Sequence, residues 1–177
     1  MEIKLNLGSG PVRKEGFISV DKFFDGADQK VDLEVFPWPW EDGSVDAVYM
    51  SHYLEHVENV TKVAQEVHRI LKTGGIWEVR VPHAWSMTAY QPDHRHQMTL
   101  AYVSALGFCE RSWWSDYRMF ETVEQRLTFF PSNFYGKFMI PIFWLFDKIA
   151  NISNRTRAAW EFLHLPTDGI YWRGVKV

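Results

Sequence analysis

The segment from residue 45 to residue 81 constrains the fold most, because it predicts a strand, a helix and a second strand in direct succession. Val45–Met50 and Ile76–Val81 are short apolar runs bounded by turn residues. Between them, apolar residues recur at helical spacing over Val60–Leu71, and Gly74-Gly75 is the expected helix stop. Such a unit predicts two parallel strands joined by a crossover helix.

Three shorter runs precede this unit and are expected to add strands to the same sheet. Ile3–Leu7 alternates apolar and polar residues, Phe17–Val20 ends at an aspartate, and Val31–Val35 alternates again. Asn59 or Thr61 is expected to cap the helix. Strands that alternate with helices in this way indicate the α/β class, with a mostly parallel sheet.

The second half is less regular. The elements expected there are a helix at 100–106 capped by Thr99, two strand stretches within 117–130 that suggest a hairpin, a helix over 134–150 broken near Pro141, a helical turn at 160–163 and a final edge strand at 170–177.

The 177 residues fit one domain, with residues 1–83 as a cofactor-binding half and 84–177 as a substrate-side half that carries an aromatic-rich insertion. Nineteen basic and 22 acidic residues give a net charge of −3, so no nucleic acid partner is expected. Cys109 is the single cysteine, which excludes an intrachain disulfide. The first residues do not resemble a signal peptide, and a cytoplasmic location is expected.

Residues with polar or glycine character end each predicted strand, and ligands of open parallel sheets bind at that edge. The set comprises Gly8-Ser9-Gly10, Asp21, Asp32-Leu33, Ser51-His52 and Pro82-His83. Glycines let the backbone approach a ligand closely, and a carboxylate accepts hydrogen bonds from both hydroxyls of a ribose. Together these features predict a nucleoside site.

The glycine loop disfavours a dinucleotide. A G-x-G-x-x-G fingerprint would need glycine where Arg13 stands, and only ten residues separate Gly10 from Asp21, which leaves little room for a phosphate-binding helix. S-adenosylmethionine contains ribose and adenine without phosphate, and it suits this loop better.

The ordered motifs resemble class I S-adenosylmethionine-dependent methyltransferases, and the closest likeness is to short methyltransferases of glycan and polysaccharide gene clusters. The resemblance is carried by residues 4–10, 16–21, 32–33, 39–46, 51–56 and 66–75. It implies a three-layer Rossmann-like fold, with an antiparallel strand near the C-terminus. It also implies S-adenosylmethionine as cofactor and S-adenosylhomocysteine as product.

By this resemblance the cofactor-binding residues are Leu7, Gly8, Ser9, Gly10, Asp21, Asp32, Leu33, Ser51 and His52. The two glycines would lie under methionine and ribose, and Asp21 would hold the ribose hydroxyls. Many members of the family have an acidic residue in place of Asn6 and a third glycine in place of Val12.

Three histidines, His52, His83 and His94, are the candidate catalytic residues, as general bases that accept a proton from the methyl acceptor. Residues 52–56 also match the zinc-protease pattern H-x-x-E-H, and His83, His94 and His96 cluster with Asp93. The first match follows a strand rather than lying in a long helix, and no metal site is predicted.

Aromatic side chains are abundant, at 16% of the chain. Trp38, Trp40, Trp85, Tyr90, Trp113 and Trp114 are expected to fill the core, with a sugar or lipid platform as the alternative. The apolar stretch Phe134–Phe146 suggests a substrate lid, a dimer contact or a peripheral membrane contact, and is too short to span a bilayer.

The sequence therefore predicts a methyltransferase for a small-molecule or glycan-linked acceptor. Two alternatives stay open at this point. One is a nucleotide-sugar or dinucleotide enzyme, and the other is a non-catalytic binding module on a degenerate methyltransferase fold.

Overall fold

A computed structural model describes residues 2–84, 86, 119–129, 140–163, 167 and 169–177. The described elements are β1 (Lys4–Leu7), β2 (Ile18–Val20), β3 (Val45–Ser51), a 3-10 turn (Leu54–His56), α1 (Val60–Ile70), β4 (Leu71–Pro82), β5 (Phe120–Thr128), α2 (Ile140–Ala150), α3 (Asn154–Phe162) and β6 (Gly169–Lys176).

The six strands form one sheet in the order β2-β1-β3-β4-β6-β5. The first four strands of this order are parallel to one another, and β6 is antiparallel to both β4 and β5. The strand order reverses direction beside β1, where the chain steps outward to β2 and then back to β3. The predicted Rossmann-like sheet with an antiparallel strand near the C-terminus is confirmed.

One face of the sheet carries the main core, because its side chains are apolar and α1 covers them. Leu5, Val48 and Trp77 are in register on neighbouring strands and are 0–1% exposed. The ring of Trp77 lies 5.1 Å from that of Phe120 and 5.3 Å from that of Trp172. Part of the high aromatic content is thus core filling, which is the role that Trp38 also has, at 2% exposure.

The opposite face is polar and is covered in part by a loop. Asn6, Tyr49 and Glu78 are aligned across it in register. Lys14 reaches over it from the β1–β2 connection, with Nζ 3.8 Å from the Tyr49 ring centroid and 3.1 Å from Glu78 Oε1. Phe17 packs edge-on against the same tyrosine. In residues 2–59 this loop, rather than a helix, covers the polar face. This agrees with the short connection between Gly10 and Asp21, which leaves little room for a helix.

The prediction of a third strand over Val31–Val35 is wrong, because this segment is not part of the sheet. The segment contains turns, because the carboxylate of Asp32 accepts a hydrogen bond from the Glu34 N–H and its carbonyl accepts one from the Val35 N–H. Leu33 is nevertheless buried, so the alternating pattern reflects a turn with one side against the protein.

The start of α1 is as predicted, and its end is not. Asn59 Oδ1 accepts a hydrogen bond from the Lys62 N–H, which identifies Asn59 and not Thr61 as the cap. The helix ends at Ile70, before the predicted Gly74-Gly75 stop, because Leu71 already pairs with Val45 in the sheet.

Two predictions for the second half need correction. Residues 120–128 form one strand rather than a hairpin, and a bulge between Thr122 and Glu124 interrupts its alternation. The final strand lies inside the sheet, because β5 covers its outer side. The predicted break near Pro141 coincides with the first turn of α2. The predicted helix at 100–106, its cap Thr99 and the stretch 134–139 lie outside the described residues.

Candidate functional site

A cavity of about 640 Å³ opens at the carboxyl ends of β1, β2 and β3, beside the reversal in strand order. This is the position at which open α/β sheets bind ligands. Its lining comprises Asn6, Gly8, Ser9, Gly10, Val12, Asp21, Lys22, Phe23, Val31, Asp32, Leu33, Glu34, Tyr49, Ser51, His52, Tyr53, His56 and Val57.

The glycine loop is tightly fitted at its first residue. Gly8 has φ +66°, and a Cβ at this position would overlap the ring of Tyr53. Gly10 also has positive φ, at +49°, but a Cβ there would meet no atom within 4 Å. The loop thus requires glycine at residue 8 for space as well as for conformation, because the aromatic ring lies directly against the backbone.

Asp21 fixes the loop to the end of β2. Its Oδ2 accepts a hydrogen bond from the Gly10 N–H at 2.8 Å, and its Oδ1 accepts from the N–H groups of Phe23 and Phe24, each at 2.8 Å. Burial alone would raise the pKa of Asp21, but these three backbone donors outweigh it and lower the pKa below its usual value. The carboxylate is therefore ionised at neutral pH, at the mouth of the cavity.

Carboxylates dominate the charge of this cavity. Asp21, Asp32 and Glu34 line it, and the one lysine or arginine among the described lining residues is Lys22. Lys22 Nζ lies 2.6 Å from Asp32 Oδ2, and this contact lowers the pKa of the aspartate. The site therefore favours a cationic or neutral ligand over a phosphate.

Tyr53 forms the wall between this acidic side and the glycine loop. Burial raises the pKa of its hydroxyl, and the carboxylates of Glu34, Asp32 and Asp21 raise it further. The phenol therefore stays protonated at any physiological pH, and it can donate a hydrogen bond but cannot act as a base.

His52 follows β3 in a strained conformation with φ +53°, which only a few per cent of non-glycine residues adopt. Its side chain is 61% exposed, and Nδ1 lies 3.2 Å from Oε1 of Glu55, whose side chain is 4% exposed. Within the described residues, neither carboxylate oxygen of Glu55 has a hydrogen-bond partner of good geometry. The imidazole thus lies beside a buried carboxylate without a well-aligned hydrogen bond to it, and an imidazole protonated at Nδ1 has Nε2 as its proton acceptor.

The structure brings together eight of the nine residues predicted to bind the cofactor: Gly8, Ser9, Gly10, Asp21, Asp32, Leu33, Ser51 and His52. Leu7 is the exception, because its side chain is completely buried in the core and does not line the cavity.

The candidate bases do not all meet at this cavity. His52 lines it, whereas His83 is completely buried and lies outside the lining. His94, with His96 and Asp93, falls outside the described residues, as do Trp85, Tyr90, Trp113 and Trp114.

Sequence reasoning missed several wall residues, of which Tyr53 and Phe23 are the most prominent. Phe23 is 82% exposed at the cavity rim, two residues after Asp21. The available signal in the sequence was that both residues lie within two positions of a predicted strand-end residue, Tyr53 after His52 and Phe23 after Asp21. The contact of Tyr53 with Gly8 joins two distant segments, so no local pattern reveals it.

Metal and membrane features are limited in the described residues. No group of three or more His, Cys, Asp or Glu side chains there is arranged to hold a metal ion. The H-x-x-E-H match lies on a strand end and a 3-10 turn, so its two histidines are not presented on one face of a long helix. None of the described helices has the length and apolar character needed to cross a bilayer.

A family model described as a methyltransferase domain matches residues 20–78, the segment that contains the acidic side of the cavity, His52, α1 and most of β4. No curated protein matches the chain.

Solved structures share the fold at low sequence identity. A SAM-dependent methyltransferase from Archaeoglobus fulgidus is 17% identical, with a TM-score of 0.61 over 99% of this chain and 86% of the other. A methyltransferase from Bacillus halodurans is 16% identical, with a TM-score of 0.61 over 99% and 92%. Geranyl diphosphate C-methyltransferase from Streptomyces coelicolor, in complex with Mg²⁺, geranyl diphosphate and S-adenosylhomocysteine, is 12% identical, with a TM-score of 0.55 over 100% and 71%.

Proposed function

The chain belongs to the class I S-adenosylmethionine-dependent methyltransferases, and we propose that it methylates a small-molecule or glycan-linked acceptor at the cavity beside the glycine loop. S-adenosylmethionine is its cofactor. We infer the residues that bind the cofactor and assist the transfer from the lining of the cavity.

The observation that carries the site assignment is the acidic lining of the cavity. S-adenosylmethionine is a nucleoside with a sulfonium cation and no phosphate, and three carboxylates with one paired lysine complement such a ligand. A dinucleotide or sugar nucleotide would place two phosphates beside these carboxylates, and the one lysine of the described lining, Lys22, is already paired with Asp32.

Each part of the cofactor has a chemical partner in this cavity. The remaining lone pairs of Asp21 accept hydrogen bonds from ribose hydroxyls, and the exposed ring of Phe23 offers a stacking surface for adenine. Asp32 and Leu33 border the same region. The backbone at Gly8 and the side chains of Ser51 and His52 lie toward the methionine end.

The bound cofactor supplies an activated methyl group on its sulfonium sulfur. The protein aligns the acceptor nucleophile for in-line displacement, in which the nucleophile–carbon bond forms as the carbon–sulfur bond breaks. His52 takes the proton that a hydroxyl or amine acceptor releases, and the carboxylate of Glu55, 3.2 Å from Nδ1, favours the tautomer that leaves Nε2 as the proton acceptor.

Isothermal titration calorimetry with S-adenosylmethionine, S-adenosylhomocysteine and NAD⁺ tests the assignment of the cavity. We expect binding of the first two and none of NAD⁺. Binding of NAD⁺ with no binding of S-adenosylhomocysteine would overturn the proposal in favour of a dinucleotide enzyme.

The acceptor is tested by formation of S-adenosylhomocysteine against a panel of free sugars, glycan-linked lipids and small phenols or amines. With the acceptor that responds, His52→Gln is expected to lower kcat by about 10²–10⁴-fold. Unchanged turnover in His52→Gln would exclude it as the base.

A further inference from the structure

The outer side of α2 and of the turn after it is apolar and exposed. The residues concerned, with their exposed fractions, are Ile142 (40%), Trp144 (63%), Leu145 (49%), Ile149 (43%) and Ile152 (72%). We call this set the α2 outer face. Five large apolar side chains on one short segment form a continuous patch of the kind that marks an interaction surface.

The inner side of α2 is fixed against the protein, so the outer face keeps one orientation. Phe146 packs against Trp160 and Phe129, with ring centroids 5.2 and 6.3 Å apart. The side-chain amide of Asn151 bonds to both backbone groups of Leu127 on the edge strand β5. Its Oδ1 accepts from the Leu127 N–H at 2.9 Å, and its Nδ2 donates to the Leu127 carbonyl at 2.8 Å.

The charges around the outer face are basic, although the whole chain is acidic. Between Ile142 and Trp160 the sequence contains one carboxylate, Asp147, and Arg126 binds it at 3.1 Å. Lys148 and Arg155 are exposed, and Lys148 Nζ lies 5.6 Å from the centroid of the Trp144 ring. A cation, Lys148, therefore accompanies the exposed tryptophan on this surface, and no unpaired carboxylate lies between residues 142 and 160.

We propose that the α2 outer face binds the surface of an anionic lipid bilayer, with α2 lying in the plane of the interface. Its 11 residues are too few to cross a bilayer. Apolar side chains would enter the boundary of head groups and acyl chains, tryptophan would lie at head-group depth, and the cations would meet anionic lipids. A second copy of the chain fits less well, because the one carboxylate between residues 142 and 160, Asp147, is already paired with Arg126 and offers Lys148 no partner across the contact.

The segment that carries the α2 outer face is attached to the sheet near the edge at which the cavity opens, because Asn151 bonds to Leu127 close to the end of β5. Thr128, at the end of β5, aligns through Gly169 with Pro82, at the end of β4. β5 is four strands from β1, which is about 19 Å at the usual spacing between strands. If the proposed methyl transfer is correct, an acceptor carried by a lipid would be brought to the edge of the sheet where the cavity opens.

Co-sedimentation with vesicles tests the lipid proposal independently of methyl transfer. The full chain is mixed with vesicles of phosphatidylcholine alone, or with 30% phosphatidylglycerol, at about 0.05 and 0.5 M salt. We expect binding to the anionic vesicles that falls at high salt. Trp144→Gln and Lys148→Glu should each weaken it by about tenfold.

Val123→Gln is the matched control, because Val123 is 57% exposed and lies on β5 rather than on the α2 outer face. It should bind like the wild type, and circular dichroism establishes that every variant is folded. Absence of binding to anionic vesicles, or binding that Trp144→Gln and Lys148→Glu leave unchanged, would overturn the proposal. So would a dimer in sedimentation velocity that Trp144→Gln dissociates, because the face would then be occupied by a second copy.

Discussion

Single residues at the cavity differ in how strictly the structure requires them, and the two loop glycines show this contrast. Both have positive φ, so either would be strained by a side chain. Only Gly8 also lies against an aromatic ring, whereas open space surrounds the position of a Cβ at Gly10. The sequence motif presents the two glycines as equivalent, but the structure separates them.

Gly8→Ala should therefore destabilise the protein more than Gly10→Ala does. The left-handed conformation costs about 1 kcal/mol at either position. Displacement of the Tyr53 ring should add about 1–3 kcal/mol at residue 8 alone. Urea unfolding of the two variants measures the difference. Equal losses would show that the ring moves aside freely.

Asp21→Asn should weaken binding of S-adenosylhomocysteine by about 10–100-fold, as expected from the loss of a charged acceptor worth ~1.5–3 kcal/mol. Asparagine has one acceptor oxygen, and three backbone N–H groups now share the two oxygens of Asp21. Calorimetry on this variant measures the affinity. Asp25→Asn is the control, because Asp25 pairs with Lys30 at the surface and does not line the cavity. Equal affinities of the two variants would contradict a role for Asp21.

At the scale of elements, the β3-α1-β4 unit could be predicted from sequence because its burial follows the repeat of each element. Val63, Ala64 and Val67 are buried at helical spacing, as predicted. The end of the helix could not be predicted, because it depends on a distant contact. Lys72 Nζ reaches Asp46 Oδ1 at 2.6 Å, and Leu71 is paired in the sheet, so the chain leaves the helix before its glycines.

The same limit explains the two errors about strands. Val31–Val35 shows the period of a strand, but the polar atoms of Asp32 satisfy the backbone locally and replace a ladder. The alternation in β6 resembles that of an edge strand, yet β5 pairs with it from a segment about 40 residues earlier in the chain. Partners of this kind follow from tertiary packing, which local patterns do not encode.

The start of α1 provides a test that separates the two residues compatible with the sequence. Asn59→Ala should cost about 1 kcal/mol, because the N–H of Lys62 loses its acceptor. Asn59→Asp should retain most of the stability, since its carboxylate accepts the same bond. Thr61→Ala should change stability by less than about 0.5 kcal/mol. Thermal unfolding compares all three, and a larger loss in Thr61→Ala than in Asn59→Ala would reject the observed cap.

For the whole molecule, ion pairs between distant segments join the connections to the sheet. Arg69 of α1 binds Glu66 at 2.7 Å, and its guanidinium also donates to the carbonyls of Trp38 and Trp40. Asp46 binds Lys72 and accepts from the Ile3 N–H. These contacts hold the connections of the first half in place around β3, in a region with few helices. The cavity beside the glycine loop thus rests on loops fixed by carboxylates as well as on core packing.

Acid should therefore destabilise the fold below about pH 5. Hydrogen bonding to Arg69 lowers the pKa of Glu66 below its ordinary 4.5, and hydrogen bonding to Lys72 lowers that of Asp46 below 3.8. A carboxyl whose pKa is lower in the folded state stabilises fully above its unfolded pKa. That contribution is lost as pH falls through the interval between the unfolded and folded values.

Urea midpoints at pH 7, 5, 4 and 3 measure this dependence, and Glu66→Gln tests its origin. The variant should lose about 1–3 kcal/mol at pH 7, because the guanidinium of Arg69 and the Trp38 N–H lose a charged acceptor. Its deficit should shrink as pH falls toward 3, where the wild type also loses the ionised carboxylate. Glu58→Gln, at an exposed position before α1, should follow the wild-type curve throughout. A constant deficit of Glu66→Gln from pH 7 to 3 would mean that packing of this side chain, rather than its charge, stabilises the region.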